Sequence, residues 1–159
     1  MSNVPFWENI YSQANAASTF GEAAGELVQL ASLLPASADV LDLGCGEGRN
    51  ALYLAGRGFR VTAIDISVSG IGKLKQTARA RGLSMKAEVH DMREYAFECS
   101  YDLVVAHGSL HLIGREYWTP LMHRIKAHTR DGGHNVVVVF TDAIPPSRRL
   151  KGFSCGTVP

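Results

Sequence analysis

Five short apolar runs, most of them rich in β-branched residues, recur along the chain. They occupy residues 40–43, 59–65, 85–91, 101–108 and 135–142. The run at 85–91 alternates apolar and polar positions, whereas the others are closer to continuous. Runs of this length and composition predict β-strands, and continuous apolar character is typical of strands that are covered on both faces.

The stretches between these runs have apolar positions three or four residues apart, which predicts helices. Pro5 suits the first turn of a helix that places Trp7 and Tyr11 on one face. Further helices are predicted at 20–34, 49–56, 67–81 and 115–129. Ser67 is expected to cap the fourth helix, and Gly132–Gly133 are expected to close the fifth.

Strands and helices that alternate in this way predict a doubly wound, Rossmann-like α/β fold with a mostly parallel sheet. We expect a single domain in which residues 1–35 form N-terminal helices that cover the site, 36–142 form the ligand-binding core and 143–159 form a short tail. Ligands bind such sheets beyond the carboxyl ends of the strands. The residues directly after each strand are therefore the candidates for function.

The composition narrows the class of protein. The chain has 159 residues, of which 46% are hydrophobic and 19% charged, and its formal net charge is +1. These values are ordinary for one soluble domain, and the scattered lysines and arginines argue against a nucleic-acid partner. No apolar run is long enough to span a bilayer, so no membrane association is expected.

The three cysteines, Cys45, Cys99 and Cys155, lie far apart and lack the spacing of a zinc site. We therefore expect no metal site and no disulfide framework, which fits a reducing compartment. Glu8 and Glu22 interrupt the N-terminal segment, so a signal peptide is not expected. A cytoplasmic location follows from these expectations.

The stretch VLDLGCGEGRN, residues 40–50, ends the first strand in a glycine-rich turn before a helix. Glycine lets a ligand approach bare main chain, and the helix after it directs N–H groups at that ligand. The dinucleotide fingerprint is G-x-G-x-x-G, but Arg49 stands where its third glycine belongs. The G-K-[ST] ending of a phosphate-binding loop is also missing. Asp42 would repel a pyrophosphate and suits an ammonium group instead.

Two further acids follow strands. Asp65 ends the second strand, where a carboxylate can accept hydrogen bonds from both hydroxyls of a ribose. Asp91 ends the third strand and can accept a hydrogen bond from the exocyclic amine of adenine, while Met92 offers backbone N–H and apolar surface to the ring. A ligand with an amino-acid end, a ribose and an adenine, but no phosphate, is S-adenosylmethionine.

The segment VLDLGCGEGRNALYLAGRGFRVTAIDIS resembles the first two motifs of class I S-adenosylmethionine-dependent methyltransferases. Within it, GEGRNALYLAGRGFRVTAID is similar to the tellurite-resistance methyltransferases and their small-molecule relatives. AEVHDMREYAF and YDLVVAHGSLHLI resemble the third and fourth motif regions, so the resemblance spans about residues 3–142. It implies methyl transfer from S-adenosylmethionine to a small molecule such as a thiol or a metalloid oxyanion, with S-adenosylhomocysteine as product.

The resemblance also implies which residues form the site. The expected cofactor-binding residues are Asp42, Gly44, Cys45, Gly46, Gly48, Arg49, Asp65, Ile66, Asp91, Met92 and His107.

Several roles remain open from the sequence. His107 follows the fourth strand and is the best candidate for a catalytic base, but the alternative of a structural histidine beside the cofactor is favoured over that role. His111 is expected to pack rather than react. Trp7 and Tyr11 either form a lid over the site or pack in the core, and Arg49 either contacts the cofactor carboxylate or only begins a helix.

The chain departs from the family after strand five. The family adds a reversed pair of strands there, and residues 143–159 are too short and too rich in glycine and proline to supply them. We therefore expect an open edge at strand five, which would favour pairing with a second copy as a homodimer.

Two other functions stay open. One is a shortened, non-catalytic module that binds S-adenosylmethionine and acts through a partner. The other is a nicotinamide-dependent reductase, against which the glycine spacing and Asp91 argue.

Overall fold

A five-stranded parallel sheet forms the centre of the molecule. The computed structural model describes residues 6–12 and 21–140. The strands are β1 Asp39–Leu43, β2 Arg60–Asp65, β3 Lys86–Val89, β4 Tyr101–His107 and β5 Thr129–Val138. Their order is β3-β2-β1-β4-β5, so the direction of winding reverses between β1 and β4. This arrangement confirms the predicted doubly wound, Rossmann-like α/β fold.

Helices cover both faces of the sheet. They are α1 Phe6–Ser12, α2 Gly25–Leu30, α3 Arg49–Gly56, α4 Val68–Ala80 and α5 Trp118–Ala127, with short 3-10 turns at Leu110–Leu112 and Arg115–Tyr117. None of the helices in the two described ranges combines the length and the apolarity needed to cross a bilayer.

The alternation of side chains along β1 divides the core into two layers. Val40 packs on one face with Leu54 of α3 and Leu74 of α4. Leu41 packs on the other face with Ile125 of α5. All five side chains are fully buried. Because successive residues of a strand point to opposite faces, a continuous apolar run fills both layers, as the sequence predicts.

The start of β5 and the end of α5 differ from the prediction. The helix ends at Ala127, and Gly132–Gly133 lie inside β5 rather than at a helix end. Tyr101 of β4 pairs with Thr129, but Leu103 pairs with His134, so β5 carries extra residues at this point. The two glycines therefore accommodate an irregularity in the strand, which is a frequent use of glycine in sheets.

Two helices are shorter than predicted. The stretch 20–34 contains α-helix only at Gly25–Leu30, after which Leu33 N–H donates to Leu30 O over 2.9 Å in a tighter turn. Leu27 and Ala31 are nevertheless buried on the predicted face. The predicted helix 115–129 begins with a 3-10 turn before α5 starts at Trp118.

Some predictions fall on residues outside the described ranges. Among them are the helix start at Pro5, the end of strand five at Asp142 and the tail at 143–159. In the described sheet, β3 and β5 each have a neighbouring strand on one side. Pairing of β5 with a second copy stays a prediction.

Candidate functional site

A cavity of about 360 Å³ opens at the carboxyl ends of the strands. The predicted cofactor residues line it together, with the exception of Gly48. Further lining residues come from α1, from the segment after β3 and from the segments after β4 and β5; they include Trp7, Tyr11, His90, Arg93, Ser109, Leu112, Ile113 and Phe140. The topology therefore brings residues from distant parts of the sequence to one place, as expected at a switch point.

The glycine turn lies close to the side chains of Ser109 and Tyr11. Gly44 and Gly46 have φ values of 72° and 57°, in the left-handed region that side chains rarely adopt. A Cβ atom at Gly44 would overlap Ser109, and one at Gly46 would overlap the hydroxyl of Tyr11. Both positions therefore require glycine so that the turn fits between α1 and the segment after β4.

Gly48 has a different role from the other two glycines. It is the N-cap of α3, with φ 85°, and a Cβ atom there would overlap Leu74 of α4. Its lack of a side chain allows α3 and α4 to approach each other rather than opening space for a ligand.

Asp42 lies at the end of β1 beneath the turn and is only 2% exposed. Its Oδ2 atom has no hydrogen-bond partner within the described ranges. Burial raises the pKa of Asp42 to about 7; the nearby Asp65 also raises this pKa and Arg49 lowers it. A buried carboxyl group with a free oxygen is costly unless a ligand supplies a donor or a cation.

Asp65 at the end of β2 is held by two main-chain N–H groups. Gly46 donates to Oδ2 over 2.7 Å, and Ser67 donates to Oδ1 over 2.8 Å. Burial raises the pKa of Asp65, while these two hydrogen bonds oppose that rise. The carboxylate is thus fixed in orientation between the glycine turn and the start of α4, with its remaining lone pairs at the cavity.

Asp91 forms an ion pair with Arg93, which the sequence reading missed. Arg93 Nε lies 3.0 Å and 2.9 Å from the two carboxylate oxygens of Asp91. This contact lowers the pKa of Asp91. The guanidinium of Arg93 also lies 5.2 Å from the ring centre of Tyr117, a cation–π distance. The only signal in the sequence is that the two charges are two residues apart.

His107 is held between two charged side chains. Its Nδ1 atom lies 3.2 Å from Arg49 Nη2, and its Nε2 atom lies 2.9 Å from Glu26 Oε1. Because a guanidinium can only donate, Nδ1 accepts and Nε2 carries the proton toward Glu26. Both ring nitrogens are then engaged, so this arrangement offers the cavity no free basic nitrogen. Glu26 is 81 residues away from His107, and the sequence reading missed it.

His111 and Cys45 are both poor candidates for a catalytic group. His111 does not line the cavity; its ring packs edge-on against Phe140 at 5.2 Å, and burial lowers its pKa. Burial also raises the pKa of the Cys45 thiol well above its usual value, which makes the thiol a poor nucleophile. Within the described ranges, no three His, Cys, Asp or Glu side chains are grouped to hold a metal ion.

Comparison with known proteins gives one family. The family model described as "Tellurite resistance protein TehB" matches residues 7–150. The probable S-adenosyl-L-methionine-dependent methyltransferase TehB of Haemophilus influenzae is 32% identical over 123 residues, which are 76% of this chain and 43% of that protein. The chain thus spans less than half the length of this relative.

Two solved structures agree with this match. The crystal structure of TehB from Haemophilus influenzae superposes with a TM-score of 0.69 at 29% identity and covers 81% of this chain and 44% of its own. A structure named for the conversion of a disulfide bond into a thioacetal group during echinomycin biosynthesis gives a TM-score of 0.59 at 34% identity. It covers 67% of this chain and 46% of its own.

Proposed function

The chain belongs to the TehB family of S-adenosylmethionine-dependent methyltransferases, as its sequence predicts, and from this premise we propose that it transfers a methyl group from S-adenosylmethionine to a small-molecule acceptor. The observation that carries the proposal is the buried carboxylate oxygen of Asp42 beneath the glycine turn, which has no partner among the described residues.

The residues present fit this cofactor. The ammonium group of its methionine part would supply the donor that Asp42 Oδ2 does not receive from the described residues. Asp65, fixed by two main-chain N–H groups, would accept hydrogen bonds from the ribose hydroxyls, and Asp91 and Met92 line the wall proposed for adenine. Two buried acids at the turn also favour a cationic ligand over a pyrophosphate, which argues against the nicotinamide alternative.

When bound, S-adenosylmethionine supplies an electrophilic sulfonium methyl group that a nucleophile displaces in line. The protein's contribution is to hold the acceptor at short range and to exclude water. The cavity has apolar walls that could exclude water, formed by Trp7, Leu112, Ile113 and Phe140. Apolar walls do not oppose this displacement, because the displacement converts the positively charged sulfonium into a neutral thioether.

The contacts of His107 favour an acceptor that needs no strong base. With Nδ1 facing Arg49 and Nε2 facing Glu26, the imidazole is placed to orient the guanidinium rather than to take a proton. We therefore assign His107 a positioning role in place of the catalytic one. Thiolates, selenols and metalloid oxyanions react without such a base, whereas hydroxyl and ammonium acceptors need one. The relative named for disulfide-to-thioacetal conversion supports sulfur as the acceptor atom.

The test separates binding from turnover. Calorimetric titration with S-adenosylhomocysteine should give a one-site isotherm, and the same titration with NADH should give none. Labelled S-adenosylmethionine should then pass its methyl group to a panel of thiols, selenite and tellurite. Binding without turnover on any acceptor supports the non-catalytic module instead, and heat with NADH alone overturns the proposal.

One variant tests the cofactor site directly. Asp65→Ala should weaken binding of S-adenosylhomocysteine by roughly 1–3 kcal/mol, because polar groups of the ligand then lose a buried partner. Asp131→Ala is the matched control, since it removes an exposed acid that does not line the cavity. Equal affinities for the two variants would remove Asp65 from the site.

A further inference from the structure

Glu8 joins the first helix to a distant part of the molecule. Its Oε1 atom accepts a hydrogen bond from the Ser69 N–H over 3.1 Å, and its Oε2 atom accepts one from the Ser67 hydroxyl. These hydrogen bonds lower the pKa of Glu8, chiefly the one from Ser67. The carboxylate therefore sits at the N-terminus of α4, where main-chain N–H groups and the helix dipole favour an anion.

Ser67 connects this contact to the cofactor site. Its hydroxyl also accepts a hydrogen bond from Gly70 N–H over 2.9 Å, and only 1% of the residue is exposed. Its own N–H donates to Asp65, whose other oxygen accepts from Gly46. A continuous chain of hydrogen bonds thus runs from Glu8 through Ser67 and Asp65 to the glycine turn.

The same helix also contacts the glycine turn directly, through Tyr11. This side chain is 8% exposed, and its hydroxyl lies where a side chain at Gly46 would stand. Trp7 and Tyr11 both line the cavity. A helix of seven residues is too short to be stable alone in water, so its position depends on such contacts.

We propose that Glu8 is a positioning residue that fixes α1 as a cover over the cofactor end of the cavity. Glu8 holds one end of the helix against α4, and Tyr11 then closes over Gly46. A ligand that contacts Asp65 would then be held in place by α1, so loss of the Glu8 contact should speed its dissociation. This inference rests on the proposed function, because it assigns the cover to the same cofactor site.

The experiment compares Glu8→Ala with Glu8→Gln and with Asn9→Ala, an exposed position on the same helix. Dissociation constants and dissociation rates of S-adenosylhomocysteine are measured by calorimetry and stopped-flow fluorescence. Hydrogen exchange at residues 6–12 is measured without ligand.

Glu8→Ala should raise the dissociation constant roughly tenfold, mainly through faster dissociation, and should raise exchange in α1. Glu8→Gln keeps an acceptor oxygen and should recover most of the loss, while Asn9→Ala should match the wild type.

Each outcome decides between the two proposals. If wild-type protein binds S-adenosylhomocysteine and Glu8→Ala binds it equally well with unchanged exchange, the role of Glu8 is overturned and the proposed function stands. If wild-type protein does not bind the ligand, the proposed function fails, and the exchange comparison alone decides whether Glu8 fixes α1. If Glu8→Ala fails to fold, Glu8→Asp replaces it, since the shortened side chain cannot reach both serines.

Discussion

The carboxyl group of Asp42 differs from the other acids of the cavity in lacking a partner for one oxygen. Asp65 receives two main-chain N–H groups and Asp91 receives a guanidinium, but Asp42 Oδ2 receives no hydrogen bond from the described residues. Its pKa of about 7 lies above that of an aspartate in an unfolded chain. Asp42 therefore contributes less to stability as the pH rises from about 4 to about 7 in the free protein.

Cofactor affinity should depend on pH through Asp42. An ammonium group favours the ionised carboxylate, so binding below pH 7 must release a proton from Asp42. Affinity for S-adenosylhomocysteine should therefore fall as the pH is lowered from 8 to 5.5, approaching tenfold per pH unit at the acid end. Calorimetry in buffers with different ionisation heats measures both the affinity and the released proton.

The variant Asp42→Asn serves as the comparison for this pH profile. It keeps the shape of the side chain but cannot ionise, so binding at pH 8 should weaken roughly tenfold or more and the slope with pH should flatten. Asp65 and Arg49 are the charged groups that act on Asp42, and both remain in the variant. If the slope with pH is unchanged in Asp42→Asn, then a group other than Asp42, such as Asp65, causes the pH dependence.

The sequence predicted those residues of the site that lie at the carboxyl ends of strands. Asp42 and Asp65 lie at the carboxyl ends of β1 and β2, and Asp91 comes two residues after β3, so their convergence could be predicted. The partners of the site could not be predicted in this way. Glu26 and Glu8 reach His107 and Ser67 through folding of the N-terminal helices, 81 and 59 residues away, and no periodicity encodes such contacts.

The junction between β1 and α3 depends on how closely α3 and α4 approach. Gly48 lies at this junction in a left-handed conformation, directly against Leu74. The structure thus separates the three glycines of the motif into two that border the cavity and one that serves helix packing.

Replacing Gly48 should be costly to stability. In Gly48→Ala the new methyl group would be strained by φ 85° and would overlap Leu74. We expect a loss of about 2–4 kcal/mol in the free energy of unfolding, measured by urea denaturation. Gly56→Ala at the other end of α3 is the control, because its Cβ atom would meet no atom of the described residues within 4 Å. Equal midpoints for the two variants would show that the turn adapts.

The elements themselves were largely predictable because their apolar runs match the period of their secondary structure. The first four strands and the helix at 49–56 are found where the pattern placed them, and β5 overlaps its predicted run but begins earlier, at Thr129. The errors occur where a glycine pair is compatible both with a helix end and with an irregular strand. Gly132–Gly133 read as a helix end, but they occupy an irregular part of β5 whose form depends on pairing with β4. Strand pairing is a tertiary contact, so a local pattern does not contain it.

The pKa values of two acidic side chains at opposite ends of β1 are shifted in opposite directions. Asp39 and Asp42 lie three residues apart on β1, at its amino and carboxyl ends. Arg60 and Arg130 pair with Asp39 and lower its pKa to about 2, whereas burial raises the pKa of Asp42 to about 7. The charge of Asp39 is therefore neutralised within the protein, whereas the charge of Asp42 is left for a ligand.

The amino-end cluster also ties strands together across the sheet. Arg130 of β5 contacts Asp39 of β1 over 2.7 Å and Asp102 of β4 over 2.5 Å, and Asp102 accepts the Asp39 N–H over 2.8 Å. Arg130 is 41% exposed at its side chain, so solvent screens these pairs and their contribution is modest.

Arg130→Met should therefore destabilise the fold modestly at pH 7, because two strands lose a shared cation while the side chain keeps its length. The depressed pKa of Asp39 gives stability that is present above about pH 4 and is lost as the pH falls through about 2. The difference between wild type and variant should shrink over that interval, which urea denaturation at a series of pH values measures. Arg79→Met on the exposed side of α4 removes the same charge without these pairs, so it should leave the pH dependence of the wild type intact. A difference for Arg130→Met that persists at pH 2 would mean that its packing, and not its charge, joins the strands.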